Sequence, residues 1–327
     1  MRKVNADVVL VTGGAGYVGA HACKALAAAG LRPVAFDDLS RGWRDAVRWG
    51  PLIVGDVRDR EAVRAALRST GAAAILHFAA KAEVGESVRN PALYFDVNVG
   101  GAKAVAAAAV EAGVDRLVFS STCAVYGLPE TTPIRESAPL APINPYGESK
   151  LAAETIFRES GLRGCMLRYF NAAGADPSGD LGERHDPETH LIPLAIRATL
   201  PGDYALKIMG TDYPTPDGSA VRDYVHVSDL AKAHVLALRQ LAEGGKGLVC
   251  NLGVGRGYSV KEVVAAVEAA AGRPARTAFA PRRPGDAAAL VADASAARSK
   301  LGWRPERTEI SEIVGDALRW ETRALAA

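Results

Sequence analysis

The 327-residue chain has only four cysteines, three methionines and 6% aromatic residues, and its charges nearly cancel at a formal +2. Cys23, Cys123, Cys165 and Cys250 lie far apart in apolar surroundings, without the paired spacing of a zinc site or a redox couple. They read as buried free thiols. Basic residues are scattered among acidic ones, which excludes the charge footprint of a nucleic-acid binder and leaves any phosphate recognition to local arginines. No apolar run approaches the roughly 18 residues of a membrane span. The run Val8 to Val11 after Met1-Arg2-Lys3 meets glycines too soon for a signal peptide. The expectation is a cytoplasmic protein with no membrane partner and no internal repeat.

What is present is 49% apolar content, enough for a substantial core, in short β-rich runs alternating with alanine-rich stretches. Strands are predicted at Val8 to Thr12, Arg32 to Phe36, Pro51 to Val54, Ala74 to Phe78, Arg116 to Ser120 and Cys165 to Tyr169. Helices are predicted at Ala20 to Ala29, Arg60 to Ser69 and Gly101 to Ala112. This is the pattern of an α/β, Rossmann-type doubly wound parallel sheet, with a smaller carboxyl-terminal substrate domain. We place a nucleotide-binding domain in residues 1–172, with a return of the chain near 220–254, and the second domain mainly in 173–327. Alternation is lost between Ala173 and His190, and a long irregular segment inside a compact enzyme is usually functional. Beyond it the pattern predicts a helix from Ile192 to Thr199, a strand from Leu206 to Met209, and a helix from Val227 to Leu241 opened by Ser228. Two or three helices and a loop from Pro281 to Asp286 fill the tail from Ser259 to Ala327.

Directly after the first strand stands Thr12-Gly13-Gly14-Ala15-Gly16-Tyr17-Val18-Gly19, leading into a helix. Its glycines permit a tight turn and close backbone approach to a pyrophosphate, which the helix N-terminus attracts. The second strand ends in Asp37-Asp38, where a carboxylate can accept the ribose hydroxyls of NAD and repel the extra phosphate of NADP. The competing reading makes Asp37 a turn residue before Leu39-Ser40. Asp56 is placed similarly after the third strand.

Tyr146 and Lys150 stand four residues apart in Pro145-Tyr146-Gly147-Glu148-Ser149-Lys150, on one face of a predicted helix. A phenol is a poor base at neutral pH unless nearby positive charge favours the phenolate, as an ammonium and a nicotinamide cation would. Ser120, Ser121 and Thr122 close the fifth strand at the edge where open α/β sheets bind ligands. Thr122 is the hydroxyl expected to share a proton with Tyr146. Ser120 and Ser121 are expected to satisfy local backbone or the nicotinamide pocket.

The segments TGGAGYVG, HFAAKAEVGESV, FSSTCAVYG, NPYGESK, RYFNAAGA, PTPDGSAVRDYVHV and APRRPGD, in this order, closely resemble the UDP-glucose 4-epimerases of the extended short-chain dehydrogenase/reductase superfamily. The resemblance spans essentially the whole chain. It implies NAD on Gly13, Gly16, Tyr17, Val18 and Gly19, with Asp37, Asp38, Leu39, Ser40, Arg41, Gly42, Asp56 and Val57 around the adenosine. Phe78, Ala79, Ala80, Asn98, Ser120, Tyr169, Tyr146 and Lys150 would line the rest of the cofactor. Many bacterial members carry a lysine where this chain has Ala82, beside Lys81.

The resemblance also implies a UDP-sugar on Thr122, Tyr146, Asn171, Leu191, Lys207, Ile208 and Met209. Arg222 and Arg283 would clamp its diphosphate, Asp286 its ribose, and Leu290 would border the sugar. The two arginines could instead form surface ion pairs beside Asp223 and Arg282. His185 and His190, without a third ligand, give no metal site. The expected activity is inversion at carbon 4 of a UDP-hexose, in a homodimer joined by the helices from Ala92 to Ala112 and Pro145 to Ser160. UDP-pentose or UDP-N-acetylhexosamine epimerisation and a non-catalytic NAD-binding regulator are the alternatives. Dehydration is disfavoured, because such enzymes place Asp-Glu after the threonine and this chain has Cys123-Ala124.

Overall fold

The computed structural model describes residues 7–283 and 286–324, so Met1-Arg2-Lys3, Pro284 and Gly285 of the 281–286 loop, and the last residues of the tail lie outside the described residues. Seven parallel strands form the central sheet. They are β1 (Val8–Thr12), β2 (Arg32–Asp37), β3 (Leu52–Val54), β4 (Ala74–His77), β5 (Arg116–Thr122), β6 (Arg163–Tyr169) and β7 (Leu248–Leu252). Their order is β7-β6-β5-β4-β1-β2-β3, with the chain leaving the centre at β1 in one direction and returning at β4 in the other. Six of these strands are legible as apolar runs because a parallel sheet covered on both faces needs no polar alternation. The seventh, interrupted by Cys250-Asn251, carries no such run.

Side chains of β1 show the two faces. Val9 and Val11 pack with Ala22 and Leu26 of helix α1 (Tyr17–Ala28) and with Leu230, Leu238 and Leu241 of a later helix, Val227–Ala242. Val8 and Leu10 point the other way, against Leu67 of α2 (Arg60–Thr70), Val105 of α3 (Gly101–Ala112) and Phe157 of α4 (Pro145–Glu159). Local signals fix these ends. Asp59 caps α2 by accepting the Glu61 and Ala62 N–H groups, and Gly71 ends it at φ 67°. Helix α1 starts three residues before the predicted Ala20, because the glycine turn itself opens it. The Val227–Ala242 helix is capped by the His226 imidazole, which accepts the Ser228 N–H at 3.1 Å, rather than by Ser228.

A second core lies under Leu191–Thr199, Val260–Ala271 and Ile310–Ala324, with Ile196, Val263, Val267, Ile313 and Val314 buried together. Three short pairings bring the two cores together at the carboxyl edge of the sheet. Asn171–Ala173 runs parallel to Tyr224–His226, while Val221–Arg222 lies between Tyr258–Ser259 and Ala289–Leu290. These strands of two or three residues escape any periodicity argument. All four cysteines are buried and free, as expected. No helix among the described residues is long and apolar enough to cross a membrane.

Candidate active site

In the turn between β1 and α1, Gly13 and Gly19 stand where only glycine fits. A Cβ on Gly13, whose φ is +72°, would lie 2.6 Å from the Ala79 nitrogen, and one on Gly19 would lie 2.0 Å from the Gly13 oxygen. Gly16 differs: a Cβ there would meet only the Gly13 oxygen at 3.3 Å, so its face opens outward. Gly16 is also the N-cap of α1 and offers no side chain, which leaves the first helical N–H groups to an external anion. This cradle fits the pyrophosphate of a dinucleotide. Tyr17 anchors the helix start by donating its hydroxyl to the Gly174 carbonyl at 2.6 Å, and Val18 is partly buried beside it.

Asp37 sits at the end of β2 with its carboxylate accepting the Ala15 N–H at 3.0 Å and the Leu39 N–H at 2.8 Å. Burial raises its pKa and these two bonds oppose the rise. The turn reading and the ribose reading are therefore compatible, since a carboxylate has about four acceptor positions and two are used. Leu39 is held at φ 60°, the one non-glycine residue with positive φ among the described residues, a strain of the kind that clusters at ligand clamps. Asp38 accepts the Ser40 N–H at 2.9 Å, and a Cβ on Gly42 would lie 2.8 Å from Asp37 Oδ1, so only glycine leaves that carboxylate its room. Arg41 reaches away, to the Asp186 carbonyl and to Glu83 and Glu86 at 3.4 and 3.5 Å. Asp56 is paired with Arg58, which lowers its pKa, and the Val57 side chain is buried under Gly101.

Farther along the sheet edge, Phe78 packs on His234 with ring centroids 4.6 Å apart, and Ala79 and Ala80 are partly buried. Asn98 spends its amide on the protein itself. It accepts the Lys81 N–H at 2.8 Å and donates to the Lys81 carbonyl at 3.0 Å and to Ser149 Oγ at 2.9 Å. It thus holds the 79–81 backbone in place. Lys81 is partly buried beside this clamp, whereas Ala82 is exposed.

Helix α4 presents Tyr146 and Lys150 to the end of β5. Asn144 caps the helix by accepting the Gly147 N–H at 2.9 Å, and Pro145 supplies the first helical residue. Lys150 is buried and donates to the Ser120 carbonyl at 2.7 Å, with its ammonium 4.8 Å above the Phe119 ring. Burial carries its pKa down to about 7 against the pull of Glu154. Tyr146 is half-buried, and desolvation pushes its phenol up to about 12, with the Thr122 side chain close enough to work against the rise. Sequence reasoning expected the ammonium of Lys150 to favour the phenolate. In the structure that ammonium is committed to Ser120, and burial dominates the phenol.

The three hydroxyls of β5 separate by partner. Ser120 bonds the Tyr169 phenol, and Ser121 donates to Glu154 at 2.5 Å. Thr122 accepts the Ala124 N–H at 3.1 Å, so its own proton remains to be donated toward Tyr146. Below them lies a buried network that sequence reasoning missed. Arg168 holds Glu154 through bonds of 2.8 and 2.6 Å and donates to the Tyr126 phenol at 3.0 Å; that phenol donates to Asn251 at 2.7 Å. The available signal was Arg168 itself, because a charge inside an apolar buried strand must be paired.

On the substrate side the register places Leu290 beside Arg222. Arg222 donates to the carbonyls of Val221 and Ala287 at 2.9 Å and faces Asp286 at 3.6 Å. Its sequence neighbour Asp223 is not its partner. That carboxylate turns inward to the N–H groups of Val254, Gly255 and Ala292, and burial raises its pKa to about 6. Leu290 packs against the cluster of Cys123, Tyr126 and Phe170. Asn171 donates its backbone N–H to the Asp223 carbonyl at 2.9 Å, and Leu191 opens its helix partly buried. Lys207 and Met209 lie on one face of their strand, but the Ile208 side chain points into the core and has only its backbone left for a ligand. Arg283 is exposed, while its neighbour Arg282 pairs with Asp212 at 2.7 Å. The expectation that His185 and His190 lack further ligands fails, because the loop folds Glu183 and Glu188 against them.

Sheet, glycine cradle and tyrosine–lysine helix together define a dinucleotide-binding α/β enzyme of the Rossmann class. The profile of the NAD dependent epimerase/dehydratase family matches residues 9–253, and the chain belongs to that family. It is 50% identical over 319 residues to a UDP-glucose 4-epimerase of Rhizobium meliloti strain 1021, covering 96% of this chain and 97% of that protein. The crystal structure of UDP-glucose 4-epimerase from Brucella ovis in complex with NAD is 45% identical, with a TM-score of 0.93 over 97% of this chain and 99% of that one. A Stenotrophomonas maltophila UDP-glucose 4-epimerase structure, with bound NAD and formylated UDP-arabinopyranose, is 39% identical with a TM-score of 0.92, over 98% and 99%.

Proposed function

We propose that the chain is an NAD-dependent UDP-glucose 4-epimerase, with residues 1–172 and the 220–254 return holding NAD and residues 173–327 mainly holding the UDP-sugar. The observation that carries this reading is the grouping at the carboxyl edge of β5: a half-buried Tyr146 beside a Thr122 hydroxyl with a proton to give, and Lys150 bonded to Ser120. Bound NAD supplies the hydride acceptor and donor and, while oxidised, a positive charge that favours the phenolate. Tyr146 takes the proton of the carbon-4 hydroxyl through or beside Thr122 and returns it when carbon 4 is reduced from the other face. Between these events the 4-keto sugar swings about its link to the diphosphate, which Arg222 and Arg283 hold by directed charged bonds. The half-buried site must keep water from the ketose meanwhile. A coupled assay converting UDP-galactose to UDP-glucose tests the reading, and absence of conversion rejects it.

Discrimination against NADP falls to Asp37. Asp37→Ala weakens NAD and relaxes the preference over NADP, measured by reconstituting stripped protein with each cofactor. A variant that discriminates as sharply as the parent would place the ribose elsewhere.

A UDP-pentose remains a second reading, supported by the arabinopyranose nucleotide in the Stenotrophomonas maltophila structure. For N-acetyl sugars the decisive side chain is Leu290. Steric exclusion by a packed side chain costs on the order of 1 to 3 kcal/mol, which makes UDP-galactose the main substrate and UDP-N-acetylgalactosamine a minor one. Leu290→Tyr lowers the N-acetyl to plain activity ratio and Leu290→Ala raises it. A constant ratio across the three proteins would show that Leu290 does not border the sugar.

We infer a homodimer through the helices of residues 92–112 and 145–160. Phe95 and Val110 are exposed apolar residues in the first, and Val88 and Ile143 flank the pair. Sedimentation decides the oligomeric state.

A further inference from the structure

The irregular segment before Leu191 carries a cluster that no step of the epimerase reading uses. Glu183, His185, Glu188 and His190 each direct one nitrogen or oxygen atom inward, and these four atoms lie within 4.8 Å of one another. Nδ1 of His185 is 3.1 Å from Glu183 and 3.8 Å from Glu188, and Nδ1 of His190 is 2.5 Å from Glu183 and 3.4 Å from Glu188. The side chain of Glu188 is 0% exposed and that of Glu183 7%. Yet Glu183 Oε1, His185 Nδ1 and Glu188 Oε2 are buried without a hydrogen-bond partner. The imidazoles and carboxylates face one another as close pairs, so either shared protons or a cation must sit among them. Buried, unpartnered polar atoms around one point need something at that point.

We propose that these four side chains form a closed, structural binding site for a divalent metal ion of the zinc type. Ligand atoms about 2.0 to 2.2 Å from a tetrahedral centre are separated by about 3.3 to 3.5 Å. The separations above, measured to both oxygens of Glu188, run from 2.5 to 3.8 Å around that value, so an arriving ion has to spread Glu183 and His190 apart by about 1 Å. Two imidazoles and two carboxylates suit zinc in ligand type, and the two carboxylates balance its charge. Four protein ligands leave no open position, so the site holds structure rather than substrate. His190, with 47% of its side chain exposed, gives the ion a way in.

The position says what the ion would hold. The His185 ring stands edge-on to Tyr17 of the glycine turn, with centroids 6.2 Å apart. Trp43 donates its indole N–H to the Arg184 carbonyl at 2.9 Å, Arg41 donates to the Asp186 carbonyl, and Trp320 donates to the Glu183 carbonyl at 2.8 Å. A metal clip here would fix the 183–190 loop in the shape that makes these contacts to the loop after β2 and to the last helix. The competing occupant is a pair of protons. Burial pulls both imidazoles down, but Glu183 and Glu188 outweigh it and raise their pKa values, His185 to about 9.

The full-length protein, purified without chelator, is expected to carry about one zinc ion per chain by elemental analysis. A strong chelator should remove the ion and lower the unfolding midpoint, and added zinc should restore it. Cobalt substitution should give the visible absorption of a tetrahedral site. His185→Ala and Glu188→Gln should each weaken zinc binding at least about 100-fold while NAD content persists, because each loses a direct ligand. Wild-type protein that takes up no stoichiometric zinc, cobalt with an octahedral spectrum, or zinc binding unchanged in both variants would each overturn the proposal. Should the variants fail to fold, zinc content and chelator response of the parent decide. Catalytic failure with zinc bound would instead count against the epimerase reading alone.

Discussion

Tyr146→Phe should lower turnover at least about 100-fold while UDP-sugar affinity changes little, since positioned acid–base groups contribute roughly 100- to 10,000-fold. The partners of the neighbouring hydroxyls leave Tyr146 as the base. Ser120 and Ser121 are committed to Tyr169 and Glu154, and Thr122 can relay a proton to the Tyr146 phenol beside it. Removing the phenolic oxygen takes away the proton acceptor without changing ring packing against Tyr94. The loss should therefore appear in kcat and in kcat/KM alike, the signature of an interaction made in the transition state. Undiminished turnover would mean that the base lies elsewhere.

The second large effect is on stability. Arg168→Met should destabilise the protein by about 3 to 5 kcal/mol, because it leaves the Glu154 carboxylate buried without its partner. Glu154 is 0% and Arg168 2% exposed in their side chains, so water cannot replace the lost bonds. Ser121 donates to the same carboxylate and would lose its fixed orientation next to Thr122. Replacing both partners with apolar residues of similar volume should recover most of the loss. Chemical unfolding of the three proteins checks this. A single variant within about 1 kcal/mol of the parent would show that the pair is solvated.

The core strands were legible because burial on both faces leaves continuous apolar runs, and the glycine turn because its spacing answers a steric need that Gly13 and Gly19 meet at 2.6 and 2.0 Å. Thr122, Tyr146 and Lys150 were legible through their place at a strand end and a helix start. Strand alternation sends the Ile208 side chain to the core, so any contact of Ile208 with a ligand falls to its backbone. The Glu154–Arg168 pair joins a helix to a strand, and the Glu183–His190 cluster depends on an irregular loop folding back on itself, so neither has a periodicity to detect. The phenol of Tyr146 depends on burial and on where Lys150 aims, which only three dimensions settle.

The central claim is that one hydrogen leaves carbon 4 and returns to the opposite face of the same sugar, with no net oxidation. UDP-galactose carrying deuterium at carbon 4, incubated with the purified protein without added cofactor, tests it most directly. The expected product is UDP-glucose that keeps its deuterium at carbon 4, with no NADH accumulating in solution. Deuterium lost to solvent in the inverted product would contradict it.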